Sequence, residues 1–195
     1  MKTLRLPPAE STFVAIDFET ADYWADSACA VGLVRVENLR VVARRTVLIR
    51  PPRPRIAFTR IHGITWAMVR EAPAFAEVWP ELAPMLDGAV ALVAHNAPFD
   101  RKVLHTCCYE AGHPIPSLPF FCTVQIARKR WNRRPNNLPS VCARLGIELK
   151  HHDAGSDAEA CARILIAAYG PDPDPALSNP VSLLEGAGPS GSSRG

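Results

Sequence analysis

The chain has 195 residues, the size of one domain at about 100–200 residues each, with room for a tail. Hydrophobic residues make up 48%, enough for a full core, which excludes general disorder. The longest apolar runs, such as AVALVA at 89–94, fall far short of the roughly 18–20 residues of a membrane helix. MKTLRLPPAE at the start has no apolar stretch of signal-peptide length, so a soluble, cytoplasmic protein is expected.

A formal net charge of +3, from 22 basic and 19 acidic residues, is too small to imply nucleic acid by itself. Arg far outnumbers Lys, which suits bidentate phosphate contacts and is equally what a biased composition gives. Six cysteines include no CxxC pair, so neither a disulfide framework nor a zinc knuckle is indicated. Cys107, Cys108 and Cys122 lie near His105 and His113, but their spacing fits no zinc pattern and reads as buried thiols.

In chain order, residues 1–10 form a polar lead-in. TFVAIDFET (12–20) is a β-branched and aromatic run, hence a buried strand. AVGLVRVENLR (30–40) and VVARRTVLIR (41–50) follow, with a turn near Glu37–Asn38. The three predict an antiparallel meander. PPRPR (51–55) opens a loop, and 65–87 reads as helical, with Pro80 and Pro84 marking breaks or helix starts. AVALVAH (89–95) fits a strand buried on both faces. Helices are expected at about 98–111, 122–131, 138–145 and 154–169. Strands first and then strands alternating with helices predict a mixed α/β sheet covered by helices. From 171 to 195 the chain turns rich in Pro, Gly and Ser and reads as a disordered tail. VSLL (181–184) within it reads as linker, with a partner-docking peptide as the alternative. No internal repeat is visible.

Acid placement is the informative feature. Asp17 and Glu19 sit two apart on a predicted strand, which puts both carboxylates on one face. Like charges so close repel, more so when partly buried. With no Lys or Arg adjacent, a divalent cation is the natural compensation. Taken alone, D-x-E at a strand end is also what surface acids at a turn give. Asp100, in HNAPFD, follows the buried strand where a helix begins, a position an acid also takes to oppose the helix dipole. In HHDAGSDAEACARIL, Ser156 and Glu159 match an S-x-x-E capping box that would start a helix at about Asp157, with Asp153 as a competing start. Asp157 then falls one turn before Cys161 on the apolar stripe.

The ordered set D-x-E, H-N-A-x-F-D and H-x(4)-D resembles the DEDDh family of 3′-to-5′ exonucleases over about residues 11–170, most closely its epsilon-like group. IHGIT (61–65) and LPSVCARLGIEL (138–149) are similar to further family segments. The resemblance implies a ribonuclease H-like mixed β-sheet, an antiparallel meander followed by parallel strands, flanked by helices. It implies Asp17, Glu19, Asp100 and Asp157 as ligands of two divalent cations, Mg²⁺ or Mn²⁺, and His152 as general base. His151 and Asp153 are off-register for that motif. Two such cations supply nucleophile activation, charge neutralisation and leaving-group help. Mg²⁺ needs only oxygen ligands, and a histidine of pKa about 6.5 accepts a proton near neutrality. The Gly-containing loop around His152 is expected to close over substrate.

The implied partner is a single-stranded nucleic acid 3′ end, DNA favoured over RNA, in a proofreading or repair setting; the alternatives are an RNA-trimming exoribonuclease of the same family and a non-catalytic nucleic-acid-binding module on the same fold. A polymerase or clamp is a further candidate partner through the tail, and no extra polymerase or helicase domain is expected. Thr20, His62, Asn96 and Phe99 are the expected substrate contacts, with packing as the alternative for Phe99 and a structural loop role for His62. Phe18 is included beside them although its strand face points to the core. RKRWNRR (128–134) carries five basic residues in seven. Arg128, Lys129, Arg130 and Trp131 are therefore candidates for backbone contact and base stacking, against a solvated helix end as the alternative.

Overall fold

A computed structural model describes residues 6–172. Residues 1–5 and the segment holding VSLL (181–184) lie outside the described residues. Three strands open the chain: β1 (Thr12–Thr20), β2 (Ala28–Glu37) and β3 (Arg40–Leu48). They pair antiparallel, joined at Asn38–Leu39, where both residues have positive φ, the backbone a tight hairpin turn requires. β4 (Leu92–Ala94) pairs parallel with β1, and β5 (Phe120–Cys122) parallel with β4. The sheet order is β3-β2-β1-β4-β5.

Helices cover both faces. α1 (Thr59–His62), α2 (Trp66–Val69) and α3 (Phe75–Leu82) lead through a 3₁₀ turn (Ala83–Leu86) into β4. α4 (Pro98–Glu110), α5 (Thr123–Arg130), α6 (Leu138–Leu145) and α7 (Ala154–Ala167) complete the fold. β1 feeds two cores by alternation. Phe13 and Ala15 pack with α5, α6 and α7, whereas Val14, Ile16 and Phe18 pack with α3 and α4. β4 is buried on both faces, as a continuous apolar run should be. Among the described residues no helix is long and apolar enough to cross a membrane.

The structure corrects three expectations about elements. The stretch 65–87 is not one helical region. It breaks between α2 and α3, and Pro80 sits inside α3 instead of interrupting it. Residues 120–122 are an edge strand, too short to show a period, so α5 begins at Thr123. α7 begins at Ala154, capped by Asp153, whose carboxylate accepts the Ser156 amide at 3.1 Å. Ser156 is not the cap, because its hydroxyl accepts the Lys150 amide instead.

Candidate active site

Asp17 and Glu19 continue the row of Phe13 and Ala15 along β1. Asp17 lies opposite Gly32 in the β1–β2 register. α7 descends onto Gly32, where a Cβ would lie 2.7 Å from the Gly155 amide nitrogen and would collide with the Ala154 carbonyl. That close approach delivers Asp157, in the first turn of α7, to the β1 acids. Carboxylate oxygens of Asp17, Glu19 and Asp157 all fall within 4.8 Å of one another. Asp100 enters from the first turn of α4 and is 1% exposed. Its Oδ1 accepts the Phe18 amide at 3.1 Å, while Oδ2 is buried without a partner.

Four carboxyls gathered this way cannot all ionise cheaply. Burial, then repulsion from Asp100 and Asp157, pushes Asp17 well above the usual range, and every charged neighbour acting on it is acidic. Glu19 is pushed up to about 7 by burial and by Asp157. Asp100 reaches about 8, chiefly through burial. Burial raises Asp157 too, against hydrogen bonds from His152 and His151 that oppose the shift.

The donor set fits hard divalent cations. All four groups offer oxygen, and buried oxygens on Asp100 and Asp157 have no partner within the protein. Groupings able to hold a metal among the described residues contain no cysteine, and Cys107 and Cys108 are buried free thiols.

His152 lies beside this cluster at positive φ, with its amide donating to Asp157 Oδ2 at 3.1 Å. Burial and the neighbouring His151 lower its pKa, against Asp157, which raises it. His151, off-register for the family motif, also reaches the site, with Nδ1 2.9 Å from Asp157 Oδ2.

The other candidates divide. Thr20 is buried at the end of β1, and its carbonyl is 3.2 Å from His62 Nε2. The Ile64 amide donates to His62 Nδ1, so Nε2 carries the proton and donates to Thr20. Asn96 and Arg128 line a cleft of about 370 Å³ with Asp17, His95, Asn136 and His151. Phe99 is 43% exposed, and Lys129 is exposed.

Three residues named as substrate contacts are corrected. The Phe18 side chain is 3% exposed in the α3–α4 core, and only its amide serves the site. Trp131 is 3% exposed and packs in the α5–α7 core, where no base can stack on it. Arg130 donates to the carbonyls of Ala168 and Gly170, so it caps the end of α7.

Sequence reasoning missed the β1–β2 loop. Tyr23 and Trp24 are 85% and 70% exposed in this loop, four or five residues past Glu19. Arg53 fixes the loop, donating to Asp22 at 2.9 Å and to Asp26 at 2.8 Å, and Phe58 meets Tyr23 edge-on at 4.8 Å. Two adjacent aromatics in the polar stretch ADYWADS were the available signal, since alternation cannot bury both.

The sheet is that of ribonuclease H-like exonucleases. Exonuclease X, solved in complex with 5′-overhanging duplex DNA, superposes with TM-score 0.63 at 26% identity, covering 81% of this chain and 92% of that one. A 3′-exonuclease that recognises histone mRNA stem-loops superposes with TM-score 0.71 at 16% identity, over 82% of each chain, a likeness of fold alone. Residues 14–165 match the RNase_T exonuclease family, and the chain belongs to that family. An epsilon-like DNA polymerase III subunit protein of Rhodobacter capsulatus is 37% identical over 175 residues, covering 83% of this chain and 25% of the relative. The PolC-type DNA polymerase III of Thermotoga petrophila is 31% identical over 160 residues, covering 80% of this chain and 12% of the relative. This chain therefore spans only a minor part of either relative.

Proposed function

We propose that this exonuclease-family enzyme removes 5′-mononucleotides from the 3′ end of single-stranded or frayed DNA. The observation that carries the reading is the convergence of Asp17, Glu19 and Asp157, with Asp100 close enough to be repelled by the same charges and with buried, unpartnered oxygens on Asp100 and Asp157. In this reading the four acids hold two divalent cations, Mg²⁺ or Mn²⁺. When bound, such a pair activates water and neutralises charge on the phosphoryl and leaving oxygens.

The remaining work falls to the chain's own residues. A ring nitrogen of His152 takes the proton of the attacking water, for which a neutral imidazole is required. The lowered pKa of His152 supports that role. The Phe18 amide orients Asp100, and His62 fixes the Thr20 carbonyl just past Glu19. Asn96, Phe99, Arg128, Lys129, Tyr23 and Trp24 offer polar, cationic and aromatic surface to a strand. DNA is favoured because the relatives are named as parts of DNA polymerase III. The same names extend the proposal to service beside a polymerase, in proofreading or repair.

A 5′-labelled single-stranded DNA oligomer tests the reading. In Mn²⁺ or Mg²⁺ it should shorten stepwise from its 3′ end with release of mononucleotides, and chelator or Asp17→Ala should stop the ladder. An intact oligomer with folded protein overturns the hydrolytic reading. Degradation of RNA alone overturns the substrate class.

A further inference from the structure

His151 is left without a role by the motif register, yet it is the histidine with a side-chain bond to the acid cluster. Its Nδ1 lies 2.9 Å from Asp157 Oδ2, and its ring stacks on His152 with centroids 3.8 Å apart and planes 23° from parallel. A ring nitrogen of each histidine and a carboxylate oxygen of Asp157 all lie within 4.8 Å of one another. Asp157 is 4% exposed and its Oδ1 is buried without a partner.

This donor set differs in kind from the one formed by Asp17, Glu19 and Asp157. Oxygen-only groups suit Mg²⁺. Two imidazoles and one carboxylate with an open fourth position are what zinc takes, and nitrogen donors move affinity strongly toward the later transition metals. Asp157 is common to both groups, so full use of one depletes the other.

We propose that His151, His152 and Asp157 form a second cation site, selective for zinc-class ions, whose occupancy competes for Asp157 and immobilises His152. Ligand atoms around a tetrahedral zinc stand about 3.3 Å apart, given bonds of about 2.0–2.1 Å. The in-plane lone pairs of two stacked, near-parallel rings do not converge on one point, so the rings must unstack to close the site. A His152 nitrogen that binds the ion gives up the lone pair with which it would accept a proton. Zinc then inhibits, and raising Mg²⁺ shifts the inhibition to higher zinc concentration. The binding half of the proposal stands by itself, and the inhibition half rests on the hydrolytic reading above.

The test uses the metal-free full chain. Zinc and manganese affinities are measured by competition with a chromophoric chelator, and Co²⁺ is followed as a zinc surrogate by its visible absorption. The variants are His151→Asn, at an exposed position that should fold normally, and Glu19→Gln. The preference for zinc over manganese should fall by about tenfold or more in His151→Asn, with loss of the Co²⁺ absorption, while Glu19→Gln keeps both. In Mg²⁺, the zinc concentration that halves each protein's own zinc-free rate should rise by about tenfold or more in His151→Asn. Zinc binding untouched by His151→Asn, or lost only in Glu19→Gln, overturns the proposal. Zinc selectivity that depends on His151 in a protein inert with Mg²⁺ supports the site and overturns the hydrolytic reading instead.

Discussion

Gly32 and Ala154 meet where α7 lands on the sheet, and no side chain fits between them. The contact sets the height of α7 over β1 and so the separation of Asp157 from Asp17, which is Gly32's cross-strand neighbour. Gly32→Ala should therefore act twice. Overpacking against backbone costs about 1–3 kcal/mol of stability, and the lifted helix withdraws Asp157 from the shared cations. Denaturant unfolding and Mn²⁺ titration should both register the change. A variant with lowered stability but unaltered Mn²⁺ affinity would show that α7 can shift without opening the site.

The raised carboxyls make a pH prediction. Asp100 sits at about 8 and Glu19 at about 7 in the folded chain, against about 3.9 and 4.3 for exposed groups. Between those values the folded state holds more protons than the unfolded one, so stability falls as pH rises. Glu159, held at about 2 mainly by Arg44, is ionised in both states there and adds no slope. His62 and His95, lowered by burial, oppose the trend only below about pH 6.5. The metal-free protein should thus lose melting temperature from about pH 6.5 to 8.5, at about 2–4 °C per kcal/mol. Mn²⁺ binds the ionised carboxylates, so its stabilisation should grow over the same range. A melting temperature flat across that range in chelator contradicts the acid cluster.

Replacing one acid should separate stability from activity. Asp100→Asn keeps an acceptor for the Phe18 amide and removes the charge that burial penalises. Metal-free protein at pH 8.5 should be more stable than the parent, while Mn²⁺-dependent hydrolysis falls by about a hundredfold or more, the scale of losing several kcal/mol of metal-assisted stabilisation. Paired thermal melts and rate measurements decide it. Lower stability would mean that the carboxylate contributes more through hydrogen bonding than it costs by burial.

The acids were legible because each breaks a local rule that the sequence displays. Asp17 and Glu19 interrupt a strand of otherwise buried residues, and Asp157 lies one turn before Cys161 on the apolar stripe that continues through Ile164 and Leu165. The meander was legible from β-branched runs and the Asn38 turn. What the sequence hid was set by tertiary packing. Trp131 reads as an aromatic in a basic patch, yet the end of α5 turns it inward while Arg130 reaches over to α7. β5 has three residues and borrows its strand character from pairing with β4. His151 and His152 are indistinguishable in type, and only the loop's backbone decides which ring reaches Asp157.

The exposed loop aromatics give a binding prediction. Tyr23 and Trp24 stay largely exposed, although Tyr23 meets Phe58, and Arg53 fixes the loop that carries them through Asp22 and Asp26. Stacking on a base is worth about 1–3 kcal/mol per aromatic side chain. The double change Tyr23→Ala with Trp24→Ala should weaken single-stranded DNA binding by about tenfold or more, measured by fluorescence anisotropy in Ca²⁺ to prevent turnover. Mn²⁺ affinity should stay as it was. Unchanged DNA affinity would assign the pair to a different surface function.

The basic segment at the end of α5 divides into residues that face solvent and residues that hold the fold, and the two should fail differently. Arg128 and Lys129 are exposed, with Arg128 at the cleft that contains Asp17. Neutralising both should reduce the slope of log affinity against log salt by about 1.4, at about 0.7 per single-strand phosphate contact. The melting temperature should not move. Trp131→Ala removes a core side chain and should cost about 3–5 kcal/mol of stability, with the salt slope of the remaining folded protein intact. A Trp131 variant that is stable but binds DNA poorly would mean that the ring swings out to the strand, and the buried position would then be only its resting one.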